Sequence, residues 1–443
     1  MNFQISLIWS KQAILGLGLA ALCTASAGCA GFEARALMPK YQEKFYAGDM
    51  AGAQAVLDGA LSNGEGEEEA GDRPMYLMER GLIHQRARNF AAAGTDFQVA
   101  DEQLEVSDFD SKALENIGEF ALNANTAKYR GMPHEKILLN SLNILNYLQQ
   151  GDFNSMKIAA RRAATQDDFQ TEVEGHYDFK SALTPLLYGL AFEASNETKQ
   201  AHVAYKTAFE SCGADFLKPR LLAIAKEHGF SDRQRWMNEF GDLDAPVADG
   251  QGSVLVVVMN GQAPVRKDQE HILGPTNLEY AHDGASMAAL GRNSVIVPYL
   301  KSRSHLYSSG TATVDGSTGD LVQVVDIETQ AIARFEDELP QIVAATVVRY
   351  LVRHGAEALA EEHGDEDLAN IVKIFSFVAE ALDLPDIRCW SLLPAEIMVS
   401  IQSAPAGANE VSIQMNGTGS KTMQQTVQVE EGGIAVAMFF VTE

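Results

Sequence analysis

Basic residues and cysteines are both scarce in this chain, and no second long apolar run follows the first. Lys and Arg total 34 against 60 Asp and Glu, a net charge of −26. Such a polyanion repels nucleic acid and anionic lipid headgroups, which argues against both as partners and favours a basic or neutral one. The plainer reading of the acidity is solubility. The densest acidic run, residues 64–72, reads as a solvated loop, because it lacks the ligand order of a calcium site. After residue 29 no apolar stretch is long enough to span a bilayer, and the longest ones carry charges such as Arg349 and Arg353. Of the four cysteines, Cys23 and Cys29 fall in the leader. Only Cys212 and Cys389 remain, and they read either as a disulfide or as two buried free thiols.

Catalytic signatures are lacking as well. The stretch from Gly417 to Thr422 has a Gly-Ser-Lys-Thr order, but no glycine directly precedes Lys421 and strands flank it, so a hairpin turn is expected instead of a phosphate loop. His354 and His363 bracket Glu361 and Glu362 at the wrong spacing for a zinc helix, and solvated helix ends are expected there. His282, Asp283 and Ser286 are neighbours in sequence, which says nothing of a spatial triad. No Gly-x-Ser-x-Gly elbow occurs. No cofactor and no metal is expected, and the chain reads as a non-enzyme.

What is present begins with the leader. Lys11 precedes an apolar stretch, Ala13 to Ala25, which ends in the small residues Ser26, Ala27 and Gly28 before Cys29. A basic start, a short apolar core and a small-residue cleavage site make a signal peptide over 1–28. A cysteine directly after the small residues resembles a lipobox, whose cysteine takes a diacylglycerol thioether and becomes the first residue of the mature chain. Ser26 departs from that pattern, which usually has Leu there. The alternative is an ordinary signal peptide and a soluble periplasmic protein. Ala30, where an acidic residue would often mean retention at the inner membrane, points by resemblance to the outer membrane, and several acyl chains on one cysteine anchor stably.

Residues 29–241 read as successive helices, with apolar residues at three- and four-residue spacing. A weak tetratricopeptide-like repeat runs through them: Tyr41, Gly48-Asp49, Ala53, Leu57 and Ala60; then Gly81, His84, Ala93, Phe97 and Ala100; then Tyr147, Gly151-Asp152-Phe153, Met156, Ala160 and Ala163; then Gly189, Phe192, Ala201, Tyr205 and Ala208. The spacing is irregular, with extra helical material around Leu114 to Asn125, so a degenerate array is expected, and a generic helical bundle is its rival. Gly, Pro and Asp crowd residues 242–252, which read as a linker. Residues 253–443 read as an α+β domain. The expected strands are Ser253 to Met259, Asn293 to Leu300, Val322 to Ile327, Glu396 to Gln402, Glu410 to Met415, Thr426 to Glu430 and Ile434 to Val441. The expected helices are Leu339 to Ala360 and Asp367 to Leu382, and the closing strands suit an antiparallel sheet. The fold class is therefore α+β and multidomain.

Three stretches carry a family resemblance. The first is Asn125, Tyr129-Arg130-Gly131, Glu135-Lys136 and Leu138, running into Asn143 to Tyr147 and Gly151-Asp152-Phe153. The second runs from Val256 through Asn260-Gly261 and Pro264 to Arg266-Lys267, and the third from Trp390 through Pro394-Ala395-Glu396 to Ile397. In this order they resemble an uncharacterised group of bacterial envelope lipoproteins with tetratricopeptide-like helices, often encoded beside the lipoprotein activator of penicillin-binding proteins. That resemblance implies a link to cell-envelope or cell-wall assembly and transfers no catalytic residue.

The expected function is a non-enzymatic adaptor, lipid-anchored at Cys29 to the outer membrane and facing the periplasm, binding a protein partner through its helical surface. Tyr129, Arg130 and Glu135 are the candidate functional patch, against an ion pair that merely holds a helix start. The rival reading is a small-ligand or glycan-binding protein using a pocket in the α+β half. A hydrolase is the third.

Overall fold

In the computed structural model the described residues are 30–63, 71–113, 128–174, 181–243, 246–272, 294–303, 305–340 and 384–442, with positions 342, 343 and 346. The leader with Cys29, most of the acidic run, residues 114–125, the His282 group, His354, His363 and the expected helix at 367–382 lie outside them.

The first half forms helical hairpins. They pair α1 (Ala30–Tyr46) with α2 (Met50–Asn63), α3 (Arg73–Arg86) with α4 (Phe90–Ala113), α5 (Pro133–Gln150) with α6 (Phe153–Glu174), and α7 (Leu183–Glu193) with α8 (Thr198–Cys212). Then come α9 (Lys218–His228) and α10 (Arg233–Phe240). The turns within hairpins follow from their residues. Gly151 takes a left-handed φ of 67° to end α5, and Asp152 then accepts the Ser155 N–H at 3.1 Å, capping the start of α6. Gly48 and Asp49 do the same between α1 and α2, with Asp49 accepting the Gly52 N–H at 2.8 Å.

Two hairpins cross in the same way. A Cβ on Gly81 would sit 2.3 Å from the Phe97 ring, and one on Gly189 would sit 2.4 Å from the Tyr205 ring. The glycine is the space the aromatic occupies. Ala93 and Ala201, both 0% exposed, sit at the matching positions on the second helices. Enlarging either, as in Ala201→Phe, should overpack the crossing and cost about 1–3 kcal/mol. Chemical denaturation measures this, and a variant as stable as the parent would show that the helices cross loosely.

The second half holds β1 (Gln251–Asn260), β2 (Val265–Ile272), β3 (Ser294–Lys301), β4 (Tyr307–Val314), β5 (Ser317–Asp320), β6 (Val322–Asp326), β7 (Glu396–Pro405), β8 (Gly407–Gly417), β9 (Ser420–Val429) and β10 (Ile434–Val441). One sheet has the order β10-β1-β7-β6 and a second the order β5-β4-β8-β9, while β2 and β3 pair separately. The expected closing strands thus divide between two sheets. The first sheet is mixed, because β10 runs parallel to β1 while β7 runs antiparallel to it. Residues 327–340 are helical, so the helix expected from Leu339 begins earlier. Gly417 to Thr422 lies in a β8–β9 hairpin that turns at Thr418 and Gly419, as the missing glycine implied.

β1 is buried on both faces, which explains its unbroken run of Val, Leu and Met. Leu255, Val257 and Met259 join Ile397, Val399 and the array's Phe97, Leu142 and Leu187 in one core. Val254, Val256 and Val258 join Val411, Ile413 and Phe439 in a second core between the sheets. The molecule therefore has three layers: helices, first sheet, second sheet. Residues 242–252 divide the chain by composition but not its core, since the helices and the first sheet share one apolar interior.

Candidate functional site

The candidate patch sits at the start of α5. Pro133 opens the helix and Glu135 follows in its first turn, where a carboxylate can reach back to free N–H groups. One oxygen of Glu135 accepts the Met132 N–H at 2.6 Å and the Tyr129 hydroxyl at 2.5 Å. The other oxygen accepts the Trp390 N–H at 2.7 Å. Tyr129 and Glu135 are buried, and Arg130 is exposed beside them. The structure brings together Tyr129 and Glu135 but not Arg130, through a hydroxyl–carboxylate bond and not an ion pair. Burial raises the pKa of both Glu135 and Tyr129.

The same chain segment is gripped a second time. Glu79 of α3 accepts the Ser391 N–H at 2.7 Å, the Ser391 hydroxyl at 2.6 Å and the Tyr41 hydroxyl at 2.9 Å on one oxygen, and the Leu392 N–H at 3.1 Å on the other. Arg388, buried, binds Asp72 at 2.6 Å and Asp386 at 2.7 Å. Arg303 donates to the Ser391 carbonyl at 2.6 Å. Trp390, 1% exposed, meets Phe97 edge-on with ring centroids 5.6 Å apart. Arg266 lies at the same junction, paired with Glu338 at 2.9 Å and aimed at the Met132 sulfur. The three stretches that carried the family resemblance thus meet in space, through Glu135, Arg266 and Trp390.

Chemically this junction is a closed lock. Ser391, Glu79 and Tyr41 have the residue types of a nucleophile with a base, yet all are 0% exposed, and their bonds are spent on holding residues 390–392. Burial pushes Glu79 up to about 7 against its four hydrogen bonds, so desolvation outweighs the donors around it. Cys389 is buried and free, as is the half-buried Cys212, so the two thiols are not bridged. Among the described residues no group of three or more His, Cys, Asp and Glu is placed to hold a metal ion. No described helix is long and apolar enough to cross a membrane.

An open feature lies nearby. A cleft of about 280 Å³ forms where α3, its following turn and α5 meet β9 and β10. Arg86, Arg88, Gln149, Gln425 and Phe440 line it. Arg86 lies over the Phe45 ring at 4.6 Å and donates to the Phe45 carbonyl at 2.8 Å. Arg88 donates to the Gln425 side-chain oxygen at 3.1 Å. Sequence reading does not find this cleft, because its walls come from residues 85–90, 149 and 423–440, none of which carries a motif. No family model and no curated protein matches the chain.

Proposed function

We propose that the chain is a non-enzymatic adaptor of the bacterial envelope, tethered through a lipid on Cys29 to the periplasmic side of the outer membrane and binding a protein partner through its helical layer. The observation that supports this reading is the cleft at the margin of that layer. It is open, lined by all three layers, and edged by Arg86 and Arg88 in a chain of net charge −26. The junction around Ser391 is sealed, whereas the cleft at the rim of the array is open. The resemblance to envelope lipoproteins supports a role in cell-wall assembly. A small ligand is the rival occupant, because the cleft's size is near the lower end of small-molecule sites.

Placing a photocrosslinking residue at Met423, on the cleft wall, should capture one protein in intact cells, whereas the same residue at Asp320 on the distant β5 should not. Equal capture from both positions, or none from Met423, would remove the adaptor reading.

The anchor has its own test. Cys29→Ala should either release the protein from membranes or leave an uncleaved precursor, because no thioether can form. Cell fractionation and mass measurement read this out. Normal maturation with unchanged membrane association would mean that Cys29 carries no lipid.

A further inference from the structure

Gln85 and Gln425, both in the cleft's lining, each hold one buried amide atom without a partner. Gln85, 1% exposed, donates its side-chain N–H to the Leu142 carbonyl at 3.1 Å and to Asn146 at 2.9 Å, which fixes the amide and leaves its oxygen unbonded. Gln425 accepts from Arg88 with its oxygen, so its nitrogen is the unbonded atom. One acceptor and one donor, both held in orientation by neighbours, thus belong to residues of the same cleft lining, with almost no surface of their own exposed. Buried polar atoms are rarely left so.

β10 adds a backbone edge. It pairs with β1 on one side, and no described strand covers its other side. The Gly433 and Val441 carbonyls accept from Ser253 and Gly261, so odd-numbered residues of the strand face β1. Residues alternate in a strand, so Val436, Met438 and Phe440 direct their backbone groups outward. The Gln149 side chain takes the Val436 carbonyl at 2.7 Å from that side. Met438 and Phe440 follow it along the cleft wall.

Charge sets the direction. Arg86 and Arg88 supply the cations, no carboxylate lines the cleft, and each guanidinium has further N–H donors beyond the bond described. A space of about 280 Å³ suits the end of a chain better than a strand continuing through it.

We infer that this cleft binds the C-terminal end of a partner polypeptide, added as an extended strand along the outer edge of β10, with its terminal carboxylate at Arg86 and Arg88. The backbone groups of the incoming strand meet those of Met438 and Phe440. This rests on the adaptor reading and gives the partner a chemistry.

The test uses the full mature chain and dye-labelled hexapeptides of Val, Thr and Ser, followed by fluorescence anisotropy. One peptide ends in a free carboxylate, a second in a carboxamide, and a third has an internal Glu with a carboxamide end. The carboxylate-ended peptide should bind at least about tenfold more tightly than either other. Arg88→Gln, at an exposed turn, should weaken it by about tenfold and remove the preference for the free carboxylate. Met438→Pro removes an outward N–H at an edge, where proline is tolerated, together with a side chain packed against the core, so it should abolish binding at a lowered melting temperature, whereas Met438→Ala, which loses the packing alone, should still bind. Equal binding of acid and amide, preference for the internal Glu, or no binding by any peptide would overturn the inference. Crosslinking from Met423 in cells separates the two readings. A partner still captured by Arg88→Gln and Met438→Pro chains means that the adaptor stands and this inference falls. Peptide binding without any cellular partner means the reverse.

Discussion

Glu79→Leu should melt roughly 5 °C below the parent chain, a loss of about 3–5 kcal/mol. Leucine fills a similar space, so the loss is not mainly a cavity. The Ser391 and Leu392 N–H groups lose their acceptor in a site where both residues are buried. The hydroxyls of Tyr41 and Ser391 can still pair with each other across 3.3 Å, so two backbone donors, not four groups, are left unbonded. Each such donor costs about 1–3 kcal/mol. Glu79→Gln keeps an acceptor oxygen and should lose about half as much or less. If the leucine variant melts within 2 °C of the parent, by calorimetry with ~1 °C precision, the grip on residues 390–392 is not a major source of stability.

Acidification should act on two buried groups in opposite directions. Burial raises Glu79 from its ordinary 4.5 to about 7. Between those values the folded chain keeps a proton that the unfolded chain has lost, so stability present at low pH is lost as pH rises through 7. Burial, with Arg266 nearby, lowers His134 from 6.5 to about 3. There the unfolded chain takes a proton that the folded one refuses, so stability is lost as pH falls below 6.5. The Glu338 carboxylate opposes that shift without cancelling it. Glu79 is surrounded by uncharged donors from Tyr41, Ser391 and Leu392. Comparing each variant with the parent cancels the titrations they share. From pH 7.5 to 5.5 the parent should gain about 2 kcal/mol relative to Glu79→Gln and lose about 1 kcal/mol relative to His134→Gln. The range stops short of the isoelectric point near 4.7, where the chain loses its charge repulsion. Urea titrations at the two pH values give both differences, and slopes of the same sign would show that the two groups are not buried as described.

The sequence made some elements legible because their environment is uniform. β1 and β10 are apolar along their length, and Ile434 to Val441 is read to the residue. β9 was read only from Thr426, since its first half alternates Lys421, Met423 and Gln425 with exposed polar residues, as an edge strand does. β4, with Ser308, Ser309 and Gly310 in its first half, and the four-residue β5 carried no apolar run to detect. Gly81 and Gly189 were legible as small residues at crossings, and the rings of Phe97 and Tyr205 occupy the space above them. The patch was half legible. Tyr129 and Glu135 stand six positions apart in one motif, but their third partner, Trp390, lies 255 positions from Glu135. No local pattern encodes a hydrogen bond across that distance, and the cleft lining shared by Gln85 and Gln425 is hidden for the same reason.

Residues 390–392 also set an order of assembly. The helices that receive Trp390 are complete in the chain by Phe240, and the strands that flank β1 arrive only with Glu396 and Ile434. At ribosomal rates of about 5–20 residues per second, the apolar side of the array stays uncovered for on the order of ten seconds. Contacts between positions so far apart also close slowly, because the intervening chain must be ordered before they form. A nascent chain of this kind presents Phe97, Leu142 and Leu187 to its surroundings until its last third has emerged. It is therefore a natural client for a holding chaperone during synthesis, and truncation before residue 390 leaves a folded-looking helical layer with a sticky face.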